Sequence, residues 1–306
     1  MTQAGPARES RPSLGLFPVV EGVYGLDLNL LGLPCYGACY VVRGTQAVAL
    51  VEVGTSHAVS RILEGLDLLG IPCEAVRFIV CTHVHLDHAG AAGELARRMP
   101  NAQVVIHSRS HRHLADTTRL LAGVAEAVGP LFPLYGTVIP VPPERLLPAE
   151  EAQLDLGGGV RLVALPTPGH SRDHVAYEAP HAGLLFTGDA AGVSLLGHSL
   201  VRPVTVPPAF EPEAMLQSLE RLRARRPRAL CFTHYGVSWE PEGVFDRLEA
   251  LLRDWDVLAH TAGPHVAAEA VYRANLPPDG TDSPEIWHRI AEMNRSGFLR
   301  AYTRGS

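Results

Sequence analysis

Hydrophobic and polar positions follow two different periods along the first half of the chain. Short apolar runs at 46–55, 76–81 and 102–107 predict buried strands, since a strand that is covered on both faces needs few polar residues. Between the first two runs, residues 56–69 carry apolar side chains at helical spacing, which predicts an amphipathic helix. This alternation of strand and helix predicts a sheet with parallel strands and with helices on at least one face.

The rest of the apolar pattern completes this plan and adds a helical end. Residues 17–49 and 159–187 are β-rich, and the second part contains a hairpin. The other predicted elements are helices at 114–128 and 211–227, a strand at 229–236, and helices at 244–259, 266–275 and 284–300. We therefore predict a poorly ordered N-terminus (1–16), one large domain (17–240) and a helical C-terminal extension packed on the core (241–306).

Composition narrows the classes of function. The 306 residues carry a formal net charge of -6, which argues against a general nucleic-acid-binding protein. Five arginines between Arg221 and Arg228 could form a local patch for nucleic acid, but an ordinary solvated helix end is the simpler interpretation. Five scattered cysteines fit a reducing compartment, and no apolar run is long enough to cross a membrane. We expect a cytoplasmic protein that contacts neither nucleic acid nor membrane, and a homodimer is left open.

A polar cluster follows directly after the strand at 76–81. It holds His83, His85, Asp87 and His88, and small residues that begin a helix come next. Side chains two positions apart in extended backbone point the same way, so His83 and His85 can converge on one ion. Asp87 and His88 lie where the chain turns into the helix and can face a second point nearby. Imidazole and carboxylate are ligands of zinc, iron, manganese and cobalt, so the spacing predicts a metal site at a strand end.

The pattern His-x-His-x-Asp-His resembles the signature of the metallo-β-lactamase superfamily. Three later segments resemble further motifs of that family in the expected order, and they contain His170, Asp189 and His234. The resemblance covers residues 17–236. It implies an α/β fold with four layers, an αββα sandwich, to which this chain adds its C-terminal helical extension.

The resemblance also implies a set of metal ligands and a chemistry. One divalent ion would bind His83, His85 and His170, a second would bind Asp87, His88 and His234, and Asp189 would bridge them. Zinc is the first choice, with manganese, iron or cobalt as alternatives. The expected enzyme is a dinuclear metallo-hydrolase, in which a metal-bridging hydroxide cleaves an ester, lactone or thioester of a small molecule. Asp87 or Asp189 would be catalytic and pass a proton to the leaving group.

Four more positions are candidates for groups behind the metals or in contact with substrate. Glu52 stands where the family has aspartate, and it could orient a ligand histidine or contact a metal differently. His174 follows the His170 motif, although a surface loop is the simpler interpretation for it and for Asp173. The other two candidates are His198, in a long loop that could cover the site, and Tyr235.

Other functions stay open on the sequence. A persulfide dioxygenase with one iron would need only the first group of ligands, whereas this chain also has the complete second group. A phosphodiesterase acting on nucleic acid would need a basic groove, which the composition does not offer. The resemblance implies that segment 114–148 lies beside the metals, where its apolar composition indicates a pocket with apolar walls that is not built for a polyanion, and packing of the segment wholly on the core is left open. A catalytically silent metal-binding module is disfavoured by the intact ligand set. We expect no metal at His107, His111 and His113, because neighbouring arginines repel cations.

Overall fold

Seven strands form a mixed sheet in the first half of the chain. The computed structural model describes residues 14–194, 201–276 and 284–303. The strands are β1 (Leu16–Val20), β2 (Val23–Asp27), β3 (Ala38–Arg43), β4 (Val48–Val51), β5 (Val76–Val80), β6 (Gln103–Ile106) and β7 (Leu146–Pro148). They lie in the sheet in chain order. β1 to β4 pair antiparallel, whereas β4 to β7 pair in parallel.

Helices connect the parallel strands, as the alternating pattern predicts. They are α1 (Val59–Leu68) before β5, then α2 (Leu86–Ala89) and α3 (Ala92–Arg98) before β6, and finally α4 (Ser108–Ala115) and α5 (Thr118–Val128) before β7. The prediction of a single helix at 114–128 is wrong about where the helix begins, because α4 ends at Ala115 and α5 begins at Thr118. Asp116 separates α4 from α5, since its Oδ1 accepts a hydrogen bond from the Thr118 backbone N–H at 3.0 Å and so begins a new helix.

The second half of the chain forms a six-stranded sheet. The strands in this half are β8 (Gln153–Gly157), β9 (Val160–Pro166), β10 (Val175–Ala179), β11 (Leu184–Gly188), β12 (Val193–Ser194), β13 (Val201–Arg202), β14 (Ala229–Phe232) and β15 (Gly236–Ser238). The helix α6 (Pro212–Arg223) lies between β13 and β14. The strand order in the sheet is β15-β14-β11-β10-β9-β8, and β11 and β14 are its parallel pair. β12 and β13 pair separately, where the sequence predicts only a loop.

Three helices follow the second sheet. They are α7 (Pro241–Thr261), α8 (Pro264–Ala274) and α9 (Pro284–Thr303). Phe298 of α9 packs on Trp255 of α7, with ring centroids 6.1 Å apart. No helix in the described ranges combines the length and the apolar character that crossing a membrane requires. At the other end of the chain, residues 1–13 of the predicted N-terminal segment lie outside the described residues, and Leu16 already belongs to β1.

Apolar side chains define the order of the layers. Tyr40 of the first sheet and Phe186 of the second are both buried between the sheets, with ring centroids 5.3 Å apart. Ile62 of α1 and Leu95 of α3 are buried on the outer face of the first sheet, and α6 to α9 cover the outer face of the second. The αββα sandwich with C-terminal helices is confirmed.

Two of the five arginines at the end of α6 pair with carboxylates. Arg223 contacts three acidic side chains of α7, at distances from 2.5 to 3.2 Å. Arg225 Nη2 lies 2.6 Å from Glu178 Oε2. Because these charges are paired within the chain, they support the interpretation as an ordinary helix end.

Candidate metal centre

The ends of four strands carry all seven side chains that the motifs single out. His83 and His85 lie in the loop after β5, and Asp87 and His88 lie in α2. His170 follows β9, Asp189 follows β11 and His234 follows β14. The loop of the first sheet and the strand ends of the second therefore meet at one edge of the sandwich, where groups of these side chains could hold metal ions.

The first group consists of three ring nitrogens that face each other. His83 Nε2 lies 2.9 Å from His85 Nδ1 and 3.2 Å from His170 Nε2, and the last two atoms are 3.1 Å apart. Three corners of a tetrahedron around zinc would be about 3.3 Å apart, given Zn–N distances of about 2.0 Å. His170 Nδ1–H donates to the Val204 carbonyl at 3.3 Å, so its Nε2 presents a lone pair. Lone pairs that face each other are stabilised by a cation between them.

The second group places one carboxylate against two imidazoles. Asp87 Oδ2 lies 3.9 Å from His88 Nε2 and 3.7 Å from His234 Nε2. His234 Nδ1–H donates to the Tyr36 carbonyl at 2.9 Å, and His88 Nδ1 is hydrogen-bonded to Glu52 Oε2. Both Nε2 atoms therefore offer lone pairs to the same space. His88 Nε2 is buried and has no hydrogen-bond partner in the described structure, as expected of a ligand atom.

Asp189 lies between the two groups. Its Oδ2 is 3.4 Å from His170 Nε2, and its Oδ1 is 3.6 Å from His88 Nε2 and 3.7 Å from His234 Nε2. Oδ1 is buried and lacks a hydrogen-bond partner among the described atoms. An unpaired buried carboxylate oxygen is costly unless a cation neutralises it, so this donor set fits metal ions.

Burial and the charges that face each side chain set the pKa values of the candidate ligands. It lowers the pKa of His170 to about 3 and that of His83 well below its ordinary value, so both rings are neutral at neutral pH and ready to bind a cation. Burial also acts to lower the pKa of His88, but Glu52 and Asp189 outweigh it and raise that pKa. Burial acts to raise the pKa of Asp189, yet the facing His88 and His170 hold it well below its ordinary range.

Glu52 orients His88 and ties the two sheets together. It is 1% exposed, and its Oε1 accepts the Thr82 backbone N–H at 2.7 Å. Its Oε2 accepts the Thr233 hydroxyl at 3.0 Å as well as bonding His88 Nδ1. Thr82 follows β5 and Thr233 precedes His234, so one carboxylate fixes both ends of the site. Of the two roles open on the sequence, the contacts match the orienting one.

His174 and Asp173 do not lie in a surface loop, so that interpretation is wrong. His174 is 1% exposed, its Nδ1–H donates to Thr167 Oγ1 at 2.8 Å, and its Nε2 accepts the Asp189 backbone N–H at 3.1 Å. Burial lowers its pKa to about 4, which suits a neutral acceptor. Asp173 Oδ2 accepts the Val84 backbone N–H at 3.1 Å. Both residues therefore hold backbone next to ligands.

Of the other two candidates, the structure describes Tyr235. Its ring packs 5.8 Å from that of Phe17 and does not line the cavity in front of the candidate centre, so a role behind the metals stays the prediction for it. His198 lies outside the described residues. The group at 107–113 does not converge either, because His107 caps α4 and His111 Nε2 bonds the Ile106 carbonyl.

A cavity of about 900 Å³ opens in front of the candidate centre. His85, Asp87, Asp189 and His234 are at its floor. Its walls come from α4, α5, α9 and the buried tyrosines Tyr36 and Tyr135, and they include arginines from several of these elements. The expectation of a pocket with apolar walls is therefore incomplete. The contribution of α5 and Tyr135 agrees with the expectation that segment 114–148 shapes the pocket. The contributions of α4 and α9 were missed, because these helices belong to distant segments and carry no motif.

Comparison with known proteins identifies the family. Residues 32–234 match the sequence profile of the metallo-beta-lactamase superfamily, and the chain belongs to that superfamily. Together with the buried histidine and aspartate groups, this defines the class of the protein as a metallo-hydrolase, with its substrate open.

Several relatives support this class. ST1585 from Sulfurisphaera tokodaii, a metallo-beta-lactamase fold-containing protein, is 28% identical over 81% of this chain and 91% of its own. The crystal structure of ST1585, described under Sulfolobus tokodaii, has a TM-score of 0.71 at 23% identity and covers 90% of this chain and 98% of its own. The probable metallo-hydrolase YflN of Bacillus subtilis is 24% identical over 71% of this chain and 85% of its own. A hydroxyacylglutathione hydrolase of Thermosynechococcus vestitus is 31% identical over 48% of this chain and 44% of its own.

Proposed function

We propose that the protein is a dinuclear metallo-hydrolase that cleaves an ester, lactone or thioester of a small molecule. The observation that carries this proposal is the carboxylate of Asp189. Its Oδ2 faces His170 Nε2 at 3.4 Å and its Oδ1 faces His88 Nε2 at 3.6 Å, so each oxygen serves a different group. A carboxylate in this position supports two ions about 3.5–4 Å apart.

The ions would supply Lewis acidity and a hydroxide nucleophile at neutral pH, with zinc as the first choice. The chain supplies the positioning and the proton transfer. The Asp189 side chain is 4% exposed, whereas that of Asp87 is 23% exposed and lines the cavity. We therefore assign Asp189 to holding both ions. We assign the second carboxylate oxygen of Asp87, Oδ1, to taking the proton of the attacking hydroxide and passing it to the leaving group.

The relatives support hydrolysis. YflN is named a probable metallo-hydrolase, and the relative from Thermosynechococcus vestitus is named a hydroxyacylglutathione hydrolase. A thioester therefore belongs in the first substrate panel, beside a lactone and an aryl ester. We place the enzyme in the cytoplasm, because all five cysteines are free and three of them are buried in the core.

Metal analysis tests the dinuclear site independently of turnover. Mass spectrometry of the purified protein should find about two ions per chain. His234→Ala should lower the count to about one, since the group of His83, His85 and His170 stays complete. The matched control is His265→Ala, at an exposed histidine of α8.

Two outcomes would overturn the proposal. One iron per chain that is unaffected by His234→Ala would argue for the mononuclear dioxygenase, and oxygen uptake with glutathione persulfide would then be the assay. Two ions without hydrolysis of any ester, lactone or thioester in the panel would argue for a silent metal-binding module.

A further inference from the structure

The cavity in front of the candidate metal centre has a strongly basic wall. Six of the residues that line it are arginines, although the whole chain carries a net charge of -6. Every one of the 26 basic residues in the sequence is an arginine, since the chain contains no lysine. Arginine binds carboxylate and phosphate through two parallel N–H groups, so its concentration around a cavity bears on the ligand.

The carboxylates of the same wall are mostly occupied elsewhere. Asp87 and Asp189 belong to the candidate metal centre, and Asp173 accepts hydrogen bonds from backbone and from α4. Glu292 pairs with an arginine next to it on α9, Arg295, which does not line the cavity. Of the carboxylates described along the wall, this leaves Glu126 to offset the arginines, and Glu292 also lies within electrostatic range of Arg289.

Most of these arginines have no acidic partner. Arg172 is the exception, since its Nε lies 2.8 Å from Glu211 Oε1. The other five form no ion pair with any carboxylate in the described part of the chain, and they are Arg109, Arg112, Arg119, Arg289 and Arg300. Unpaired cations that share one concave wall raise its positive potential and attract anions.

Two of the unpaired arginines, Arg112 and Arg119, lie near His113, where α4 ends and α5 begins. Arg112 Nε–H donates to His113 Nε2 at 3.3 Å, and His113 lines the cavity as well. Burial and the charges of Arg112 and Arg119 lower the pKa of His113, so the ring is neutral at pH 7. The guanidinium groups of Arg112 and Arg119 near this ring therefore still have N–H donors that can bind an anion.

Arg289 presents a donor from the facing helix α9. Its Nη2 donates to the Ala127 carbonyl at 2.7 Å, which fixes the guanidinium against α5. Its Nε is buried and has no hydrogen-bond partner in the described structure. A buried N–H of a charged group is costly when it is left unpaired, so this position is suited to a ligand oxygen.

We propose that the substrate carries a carboxylate or a phosphate away from the bond that is cleaved, and that the arginine wall binds this anionic group, with Arg112 and Arg119 at one end of α5 and Arg289 at the other. The inference rests on the proposed hydrolase function and adds a substrate class to it. The wall also has apolar residues, with Leu120, Val124 and Met293 among them. A short apolar segment would therefore link the anionic end to the ester, lactone or thioester.

Three thioesters with the same thiol and chain length test the substrate class. Their acyl chains end in a carboxylate, a phosphate or a methyl group. The wild type should prefer at least one charged substrate over the methyl one by tenfold or more in kcat/KM. Arg112→Gln/Arg119→Gln should reduce that preference by about 10- to 100-fold through KM, since hydrogen bonds to a charged group are lost. Arg289→Gln should reduce it in the same direction.

The matched control is Arg273→Gln on α8, which removes an exposed arginine that does not line the cavity. It should leave the preference unchanged. A preference that is absent in the wild type, or that survives both variants, would overturn the inference. The relative size of the preference for carboxylate and for phosphate identifies the group.

A binding measurement separates this inference from the hydrolase proposal. Calorimetric titration of the metal-replete protein with hexanoate and with hexyl phosphate should show binding that weakens tenfold or more in the double variant. If no ester, lactone or thioester is cleaved but this loss is seen, the hydrolase proposal fails and the anion site stands. If binding is equal in wild type and variant, the anion binds elsewhere and the inference fails.

Discussion

Most ligand histidines are held through the ring nitrogen that does not face the metal site. His170 and His234 donate to the carbonyls of Val204 and Tyr36, and His88 donates to the carboxylate of Glu52. Each bond fixes both the ring orientation and the tautomer, so Nε2 faces the cluster as a lone pair. The seven ligands alone therefore do not define the site.

Glu52 gives the first prediction. Glu52→Gln removes the charge that His88 faces and should weaken zinc binding by about 10- to 100-fold, because groups that orient a ligand tune its affinity by this amount. Competition with a chelating dye measures the dissociation constant. Glu74→Gln, at an exposed glutamate before β5, is the control and should have no effect. Unchanged zinc affinity in Glu52→Gln would mean that His88 needs no charged partner.

Asp173 gives a prediction about pH. Burial acts to raise the pKa of Asp173, but the hydrogen bond from Ser110 and the nearby hydroxyl of Ser171 hold it below its ordinary value. A depressed pKa in the folded state adds stability above the unfolded-state pKa of about 3.9, and this stability is lost as the pH falls through the lower folded-state pKa. Asp173→Asn should therefore cost about 1–3 kcal/mol near neutral pH and progressively less below about pH 4.

Urea unfolding of the metal-free protein at several pH values measures this effect. Asp67→Asn, at an exposed position of α1, is the control and should change stability little at any pH. A cost for Asp173→Asn that does not vary with pH would show that the charge of Asp173 does not contribute.

Strand ends do most of the positioning in this fold. β5 leads into the loop of His83 and His85, and β11 leads through Gly188 into Asp189. Gly188 has φ of 51°, and a Cβ there would lie 2.5 Å from His174 Nε2 and 2.6 Å from Thr82 Oγ1. The close approach of these orienting groups thus depends on the missing side chain.

Gly188→Ala should disrupt the end of β11. The left-handed backbone alone costs about 1–3 kcal/mol for a residue other than glycine, and the steric overlap adds to it. The variant should also bind less metal, because Asp189 shifts. The control is Gly236→Ala, which has φ of 87° and no atom within 4 Å of its Cβ. Denaturant unfolding and metal counts measure both, and equal losses in the two variants would mean that the overlap is relieved at no cost.

The sequence predicts the strands and the clustering of the candidate ligands, because both depend on local patterns. The apolar period and the spacing of His83 to His88 need no tertiary information, and the family resemblance supplies the later ligands. The contacts of Glu52 were left open because its partner Thr233 is 181 positions away. Asp173 looked like a surface residue because polar residues in a loop are usually solvated, and only the fold brings α4 against it. The basic wall was not predicted, because its arginines come from separate helices and form no motif in the sequence.

The molecule as a whole divides the candidate centre between its two sheets. The first sheet leads to four of the seven ligands and the second to three. α9, at the end of the chain, then reaches across both. Its Trp287 is fully buried, with its ring 5.2 Å from that of Tyr36, whose carbonyl accepts the His234 N–H. The last helix therefore supports a ligand that lies fifty or more positions before it.

Trp287→Ala tests this support. Removing a buried tryptophan side chain should cost about 3–5 kcal/mol of unfolding free energy. It should also weaken metal binding, because Tyr36 loses the ring that packs on it. Trp239→Ala, at a tryptophan that is 47% exposed and lies under Arg228, should cost about 1 kcal/mol or less. Denaturant unfolding and chelator competition measure both effects, and full metal affinity in Trp287→Ala would show that α9 does not support the centre.

The position of α9 also bears on how such an enzyme can diversify. The metal ligands all lie within residues 32–234, which match the superfamily, whereas α9 spans Pro284–Thr303 and still lines the cavity. The part of the gene that encodes the reaction and the part that helps encode its selectivity are therefore separate stretches of DNA. Recombination within the stretch that encodes α9 would change the molecules that the enzyme accepts, and it would leave the inherited chemistry intact where the new helix keeps the ring of Trp287 on Tyr36.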